Sequence, residues 1–416
     1  MKYNSKVLNL GCRLNYFESE MIKGILEKNK INKKIVINTC AVTNEAVKKS
    51  ISEVKKASIK FPDHQIIVTG CASQIEKDVF ADLSNVSRII DNKLKTQENL
   101  YLDLEHTNGE EEVEEFPFIK NTSSSRSRAM LQIQQGCDHR CTFCIIPFGR
   151  GDAKSLPFNE INKRAEYIIK QGFNEMVITG VDLTSYGNDL KGMPRLGNVI
   201  KRLLSSQPEL QRLRLSSIDP AEIDQDLFKL FCSEERLMPH IHLSLQSGDD
   251  LILKRMKRRH SRKQVIELCR SLKSFRPELT FGADIIVGFP TETDKQFSNT
   301  LDLVETINFS NVHVFPYSPK KGTPASRMPQ VDEEKRKERA TILRQTSKRI
   351  LHSHLNRKIG KSATILFEST KNSYTNEYFK VKLTKFKGKF PPESGEILNV
   401  KLLQRQNEAL IAEIKQ

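Results

Sequence analysis

The sequence predicts an α/β protein with three parts: an N-terminal open α/β domain with a parallel sheet, a central (βα)6 partial TIM barrel and a small C-terminal all-β module. Three observations carry this. Three short apolar runs near the N-terminus, VLNLGC, IVINTC and IIVTGC, each close on a cysteine, Cys12, Cys40 and Cys71. Six further apolar runs recur between Met130 and Tyr317, with room for a helix between them. Beyond a highly charged helical stretch, residues 356–416 are β-rich and contain the turn FPPESG.

Between the first three runs lie helix-compatible segments, FESEMIKGILEKN and EAVKKSISEVKKASIK, so strand, loop and helix repeat over residues 1–105. That repeat is an open α/β unit with a parallel sheet. Parallel strands point their carboxyl ends the same way, so the three cysteine loops open on one edge, where such folds place ligands. From Asp103 to Glu115 there are seven acidic residues and no basic one, and NTSSSRSR follows, so 106–128 reads as an acidic and Ser-rich linker.

The runs MLQIQQG, EMVITGV, RLRLSSI, HIHLSLQ, FGADIIV and NVHVFPY then supply six strands, whose working face is their carboxyl ends. Spacing alone also permits a doubly wound sheet; the motifs below favour the barrel. Asp332 to Leu355 places Leu343, Thr346, Ile350 and Leu351 at helical spacing in a Glu/Lys/Arg-rich background, an amphipathic exit helix that ends the barrel domain 129–355. SATILFE, EYFKVKLTK, GEILNVKLL and ALIAEIK form the all-β module 356–416.

A length of 416 residues excludes a peptide hormone or a disulfide-stapled mini-domain. Lys+Arg exceed Asp+Glu by 67 to 51, a net +16, which points to a polyanionic partner, nucleic acid or an acidic membrane surface. The opening MKYNSKVLNLGC has no secretory apolar region and no stretch reaches about eighteen apolar residues, so the chain reads as cytoplasmic with no membrane partner. In a reducing compartment, clustered cysteines are metal ligands or reactive groups rather than disulfides.

The sharpest motif is Gly136-Cys137-Asp138-His139-Arg140-Cys141-Thr142-Phe143-Cys144, a C-x3-C-x2-C loop just after the first barrel strand. Three thiolates at that spacing hold three corners of a cubane iron–sulfur cluster and leave one iron without a protein ligand. In the known chemistry of this spacing the open iron chelates S-adenosylmethionine, and one electron cleaves the sulfonium to a 5′-deoxyadenosyl radical. A zinc site would want a fourth ligand, for which His139 inside the loop is poorly placed.

The trio Cys12, Cys40 and Cys71 is less specific, since separations of 28 and 31 residues name no metal. Its alternatives are a second three-cysteine site and buried cysteines acting as small apolar side chains. The flanking Gly11, Asn15, Asn38, Thr39, Asn44 and Gly70 suit loops and favour a site. Cys232 and Cys269, in LFKLFCSEE and VIELCRSL, read as core cysteines.

Gly11-Cys12-Arg13-Leu14-Asn15 with Ser19-Glu20, Asn38-Thr39-Cys40-Ala41-Val42-Thr43-Asn44, Gly70-Cys71, and the C-x3-C-x2-C loop followed by Ile145-Ile146-Pro147 resemble the methylthiotransferases of the radical S-adenosylmethionine superfamily. The likeness continues through RLRLSSIDP, HLSLQSGDDLILKRM, DIIVGFPTET and YSPKKGTPA and covers essentially the whole chain. ITGVDLTSYG and VHVFPYSPKKG are similar to the MtaB type, which acts on N6-threonylcarbamoyladenosine beside the tRNA anticodon, at C2 of the purine. Ala72 stands where the family often carries an aromatic residue.

The resemblance implies an N-terminal methylthiotransferase domain, a radical S-adenosylmethionine barrel and an OB-like TRAM module. It implies two [4Fe-4S] clusters, one on Cys137, Cys141 and Cys144 that generates the radical and an auxiliary one on Cys12, Cys40 and Cys71 that delivers methylated sulfur. S-adenosylmethionine serves as both methyl donor and radical source, no side chain acts as catalyst by itself, and an electron donor protein and a sulfur source are partners. The isopentenyladenosine-acting and ribosomal-protein-acting subgroups share every cluster cysteine and stay open as alternatives, and so does a non-catalytic iron–sulfur RNA-binding protein, although that protein would want closed four-ligand clusters.

Candidate S-adenosylmethionine contacts at barrel strand ends are Phe143, Thr179, Gly180, Ser216, Ser217, Gln246 and Asp284, each with the alternative of being a satisfied strand-end group. For the tRNA anticodon stem-loop, Lys254 to Lys263 carries seven basic residues, and Lys380, Lys382, Lys385, Lys387 and Lys389 lie beside Phe379, Phe386 and Phe390. Lysines attract phosphate and exposed rings stack on unpaired bases; rings turned into the β-core would leave only the lysines outside.

Overall fold

The structure is a computed structural model that describes residues 4–102, 116, 118, 127–384 and 392–415. Packing divides it into two units. The first comprises Met1–Ser124, Gln134–Lys154 and Ser318–Ser326, the second Ser125–Ile133, Ser155–Tyr317 and Arg327–Gln416. Both cysteine trios therefore belong to the first unit. The linker 106–128 falls almost wholly outside the described residues.

In the first unit, β1 (Lys6–Asn9), β2 (Lys34–Thr39), β3 (Gln65–Gly70) and β4 (Val86–Ile89) form a four-stranded parallel sheet in that order. Helices α1 (Arg13–Lys28) and α2 (Asn44–Lys60) cover its two faces. Ile35, Ile37 and Val68 pack with Val47 and Val54 of α2, whereas Val36 and Ile67 pack with Ile22 and Leu26 of α1. Strands buried on both faces need unbroken apolar runs, and that is why β2 and β3 read as IVI and IIV. Each such side chain contributes roughly 1.5–3 kcal/mol.

The register pairs Asn9 with Asn38 and Thr39 with Gly70, so the carboxyl ends lie side by side and the cysteines follow on one edge. Two short helices, α3 (Cys71–Ile75) and α4 (Lys77–Ala81), come after β3. Ala72 is fully buried in the cluster that holds Val68, Phe80 and Ile145. That packing suits a methyl group and leaves no room for an aromatic ring without rearrangement.

In the second unit the six expected strands form. Arg128–Gln132, Glu175–Thr179 and Arg212–Leu215 make one parallel three-stranded sheet, and His240–Gln246, Thr280–Val287 and Asn311–Pro316 make another. Parallel bridges Leu213–Leu237 and Ile218–Leu243 connect them into a partial barrel-like sheet. The expected exit helix spans Glu333–Asn356, with Ala340, Leu343, Ser347 and Ile350 on its buried face.

The C-terminal residues form a small closed barrel whose strands Ser362–Phe367, Ser373–Thr375, Lys380–Leu383, Ala409–Ile414 and Ile397–Gln406 pair in that order. Ile365, Phe379, Val381, Val400, Leu402 and Leu410 fill it, and Leu355 of the exit helix joins the same core.

The start of the barrel strands carries a buried charge cluster. Glu175 accepts from Arg212 Nε at 2.7 Å and Arg214 Nε at 2.9 Å, and is also bonded by Arg128. Arg214 donates onward to the carbonyls of Thr375 and Asn376, and the Arg128 guanidinium lies 5.0 Å from the Tyr374 ring, so a turn of the small barrel closes over the cluster. Burial opposes ionisation of Glu175, but Arg214, Arg128 and Arg212 hold its pKa down to about 2.

Candidate functional site

Cys12 precedes α1 directly, Cys40 follows β2, and Cys71 is the first residue of α3. All eight cysteines are described and none forms a disulfide. Burial pushes the Cys40 thiol above its ordinary pKa, and the neighbouring Cys71 and Cys12 add to this. A buried thiol that resists ionisation is one a positively charged metal centre would stabilise as the thiolate.

The polar residues of the motifs form the bed beneath this edge. Asn15 Nδ2 donates to the Thr39 carbonyl at 2.8 Å, Asn38 Nδ2 to the Asn15 carbonyl at 2.9 Å and to Ser19 Oγ at 3.1 Å, and Thr39 Oγ1 to the Thr69 carbonyl at 2.7 Å. Gly70 has φ +101°, and a Cβ there would stand 2.5 Å from the Thr39 backbone. Gly70→Ala is expected to lower stability by about 2 kcal/mol through strain at a left-handed position. A lower midpoint of urea unfolding checks this.

The second trio lies in a loop pinned by its main chain. Cys137 N–H donates to the Gly151 carbonyl at 3.1 Å, Cys144 N–H to the Cys141 carbonyl at 3.0 Å, and Ala153 N–H to Asp138 Oδ1 at 3.0 Å. Gly136 has φ +68°, and a Cβ there would strike the Asp152 carbonyl, so the position requires glycine. Cys137, Cys141 and Cys144 are each half-buried. Helix α5 (Ile146–Arg150) follows at once and packs on α3, with a Cβ on Gly149 only 3.5 Å from Cys71 Cβ.

Buried charges join the two loops. Arg150 Nη1 and Nη2 donate to Glu18 at 2.9 and 3.0 Å, and Nη2 to Asn15 Oδ1 at 2.5 Å. Lys95 Nζ lies 2.5 Å from Glu18 and 2.7 Å from Asn92 Oδ1, while Asn92 Nδ2 bonds the Gly149 carbonyl at 2.6 Å and faces Cys71 Sγ at 3.8 Å. Burial opposes the Glu18 charge, yet Arg150 and Lys95 hold its pKa below the ordinary value. Two buried cations against one carboxylate leave excess positive charge, and Arg150 feels both Cys71 and Cys12. This balance complements thiolates, so the residues present fit a thiolate-held cluster.

At the barrel, Thr179 ends its strand and Gly180 follows it, Ser216 and Ser217 follow theirs, and Gln246 ends the next. Ser216 is 8% exposed and its buried Oγ has no hydrogen-bond partner, an orphaned group that suits a polar ligand. Gln246 has φ +74° where the strand register shifts, a bulge of the kind that re-aims a side chain. Asp284 lies inside its strand rather than at the end, accepting from His242 and His313 at 3.1 Å each. Burial opposes its charge, but the two rings hold its carboxyl well below the usual range. Phe143 is half-buried in the cysteine loop of the first unit.

The basic segments are exposed only in part. Within Lys254 to Lys263, Arg258 bonds Asp219 at 2.7 Å, Arg259 bonds Glu222 at 2.8 Å, Arg255 bonds Thr291 at 2.6 Å, and Arg262 bonds the Gly248 carbonyl at 3.1 Å. These arginines brace the barrel loops, and Lys254, Lys257, Lys263 and, despite its bond to Glu222, Arg259 are exposed. Lys380 and Lys382 are half-buried, while Phe379 is 3% exposed in the small barrel's core, so this ring is not a stacking surface. Lys385, Lys387, Lys389, Phe386 and Phe390 lie outside the described residues. Cys269 is buried in its helix, its thiol pushed up to about 12, and Cys232 is half-buried.

Glu18, Asn92, Lys95, Arg150, His242 and His313 escaped the sequence reading. Arg150 stood three residues beyond the quoted Ile-Ile-Pro and Glu18 one before Ser19, but nothing local shows that these distant charges meet.

Residues 131–304 match the model of the Radical SAM superfamily, and residues 4–91 that of the uncharacterized protein family UPF0004. A threonylcarbamoyladenosine tRNA methylthiotransferase MtaB from Rickettsia prowazekii is 46% identical, covering 92% of this chain and 91% of the relative. A tRNA-2-methylthio-N(6)-dimethylallyladenosine synthase from Wolbachia pipientis wMel is 29% identical over 96% of this chain and 97% of its own. Among solved structures, the radical S-adenosylmethionine methyltransferase TsrM from Kitasatospora setae superposes with TM-score 0.55 at 12% identity, covering 78% of this chain and 75% of that one, a likeness of fold alone. Carried by the first of these relatives and by both family models, the conclusion is that the chain belongs to the MtaB-type radical S-adenosylmethionine methylthiotransferase family.

Proposed function

We propose that the chain is a tRNA-modifying enzyme that places a methylthio group on C2 of N6-threonylcarbamoyladenosine beside the anticodon. The observation that carries this is the 46% identity, across nine-tenths of both chains, to a relative bearing that activity in its name. Loaded with two [4Fe-4S] clusters and S-adenosylmethionine, the protein would have radical opening of an unactivated C–H bond and a methylated sulfur at its disposal.

On this reading Cys137, Cys141 and Cys144 hold one cluster and Cys12, Cys40 and Cys71 the other. The main-chain bonds of the loop carrying Cys137, Cys141 and Cys144 fix its backbone. Thr179, Gly180, Ser216, Ser217 and Gln246 receive the ribose and amino-acid portions of S-adenosylmethionine, with the unpaired Ser216 hydroxyl the best-supported of them. Phe143, within the cysteine loop, and Asp284, which orients His242 and His313, are the remaining candidate contacts. The segments 1–105, 106–128, 129–355 and 356–416 act as methylthiotransferase domain, linker, radical barrel and TRAM module. The last of these, with Lys380, Lys382, Lys385, Lys387 and Lys389, grips the anticodon stem-loop. An electron donor protein and a sulfur source complete the partners. Placement in the cytoplasm follows from the tRNA substrate, and among the described residues no helix is long and apolar enough to cross a membrane.

Nucleoside mass spectrometry of tRNA from cells with and without the protein tests this. Loss of the 2-methylthio form of threonylcarbamoyladenosine, with accumulation of its precursor, is expected. Unchanged threonylcarbamoyladenosine and a lost methylthio-isopentenyladenosine would move the protein to the other tRNA subgroup.

A further inference from the structure

The segment Ser318–Ser326, which holds most of the YSPKKGTPA motif, packs in the same unit as the N-terminal cysteines. It is moored to the loop after Cys40: Asn44 N–H donates to Ser318 Oγ at 2.9 Å and Asn44 Nδ2 to the Pro319 carbonyl at 2.9 Å. A tight turn then fixes the next residue, with Thr323 donating to the Lys320 carbonyl through its N–H at 3.1 Å and its Oγ1 at 2.7 Å. Ala325 N–H bonds the Thr142 carbonyl at 2.9 Å, so the segment also touches the second cysteine loop.

Lys320 is 4% exposed and its ammonium has no hydrogen-bond partner. Burial pushes its pKa below the ordinary lysine value, and Glu76 and then the Cys40 thiol, both beyond bonding distance, oppose this only in part. An unpaired buried ammonium is strongly unfavourable unless something compensates it. The other buried charges of this edge are already matched in part: Glu18 accepts from Arg150 and Lys95, which leaves one excess cation. Glu76 is only half-buried and screened by solvent, so among the buried charges Lys320 makes the excess two.

A four-iron core of charge about +2 held by three thiolates carries about −1, and one further anionic sulfur on the open iron brings it to about −2. The three-thiolate cluster alone therefore leaves one cation over. We infer that Lys320 is the positioning residue for the anionic sulfur at the N-terminal site, its ammonium supplying the charge-assisted contact to a sulfide-class ligand on the iron that no cysteine fills. The inference rests on reading Cys12, Cys40 and Cys71 as the sulfur-delivering site. The event is ligand association as the hydrosulfide monoanion, with no change of oxidation state and no bond broken in the ligand.

The test uses the full chain. In a Cys137→Ala, Cys141→Ala, Cys144→Ala background, reconstituted anaerobically, sodium sulfide is titrated and followed by the electron paramagnetic resonance of the reduced remaining cluster. Lys320→Met should keep the iron content and weaken sulfide binding on the order of tenfold to a hundredfold, as expected for one charge-assisted contact. Lys320→Arg should restore most of it. In the metal-free protein with all cysteines native, Lys320→Met should raise the midpoint of urea unfolding, because it removes an uncompensated charge.

Equal sulfide affinity in Lys320→Met overturns the inference. So does a lowered midpoint in the metal-free protein, which would make Lys320 a structural partner of Glu76. If the background protein holds its iron but binds no sulfide even with Lys320 present, the sulfur-site reading itself is wrong and the inference goes with it.

Discussion

Replacing Cys12, Cys40 and Cys71 together by Ala is expected to leave about half of the iron after anaerobic reconstitution if, as proposed, each trio supports its own cluster. The variant should still cleave S-adenosylmethionine reductively, because the loop carrying Cys137, Cys141 and Cys144 keeps its main-chain anchors to Gly151 and within itself. Methylthiolated tRNA should fall to background. The mirror variant, with Ala at Cys137, Cys141 and Cys144, should likewise keep about half of the iron but lose both cleavage and product. Iron determination, 5′-deoxyadenosine by chromatography and nucleoside mass spectrometry separate the two patterns. Equal iron in both variants and in the parent would remove the ligand assignment. The charged bed beneath the first trio adds a condition: Arg150 reaches Glu18 and Asn15 from the helix that follows the second trio, so damage to either loop is felt at the other.

Glu175→Gln should be the most destabilising substitution outside the cysteines, by about 3–5 kcal/mol, the usual cost of stranding a buried charge. The carboxylate is fully buried and faces Arg128, Arg212 and Arg214, two of which also hold the turn carrying Asn376. Without it the three guanidinium groups repel one another, and the small C-terminal barrel loses its anchor to the strand starts. Urea unfolding should show the drop in midpoint.

The pH dependence has a definite sign. The folded pKa of Glu175, about 2, lies below the ordinary 4.5, so its contribution is complete above pH ~4.5 and is lost as pH falls toward 2. Acid unfolding of the native protein should therefore be steep across that window, and Glu175→Gln should flatten it.

The apolar runs that end in Cys12, Cys40 and Cys71 determined by themselves that a parallel sheet would present three thiols on one edge. Strand direction and local hydrophobicity are short-range properties, and a run such as IVINTC announces a strand buried on both faces. The C-x3-C-x2-C loop is legible for the same reason, its cysteine spacing being contained in eight residues. The six barrel strands and the β-rich module also followed from local pattern.

Sequence alone did not disclose how charges find one another across the chain. Glu18, Lys95 and Arg150 come from separate segments and gain their meaning only when buried together, where low dielectric makes the sum of charges matter more than any one residue. The same holds for Glu175 with Arg128, Arg212 and Arg214, for Asp284 between His242 and His313, and for Lys320, which the sequence offers as one more lysine in a motif. The arginines of the 254–263 stretch show the converse: a local charge run reads as a phosphate-binding surface, yet packing directs Arg255, Arg258, Arg259 and Arg262 onto protein acceptors. Linear pattern determined which residues form strands and which thiols share an edge, whereas only the tertiary structure decided which charges are paired and which is left open, because pairing depends on burial and on contacts between segments far apart in the chain.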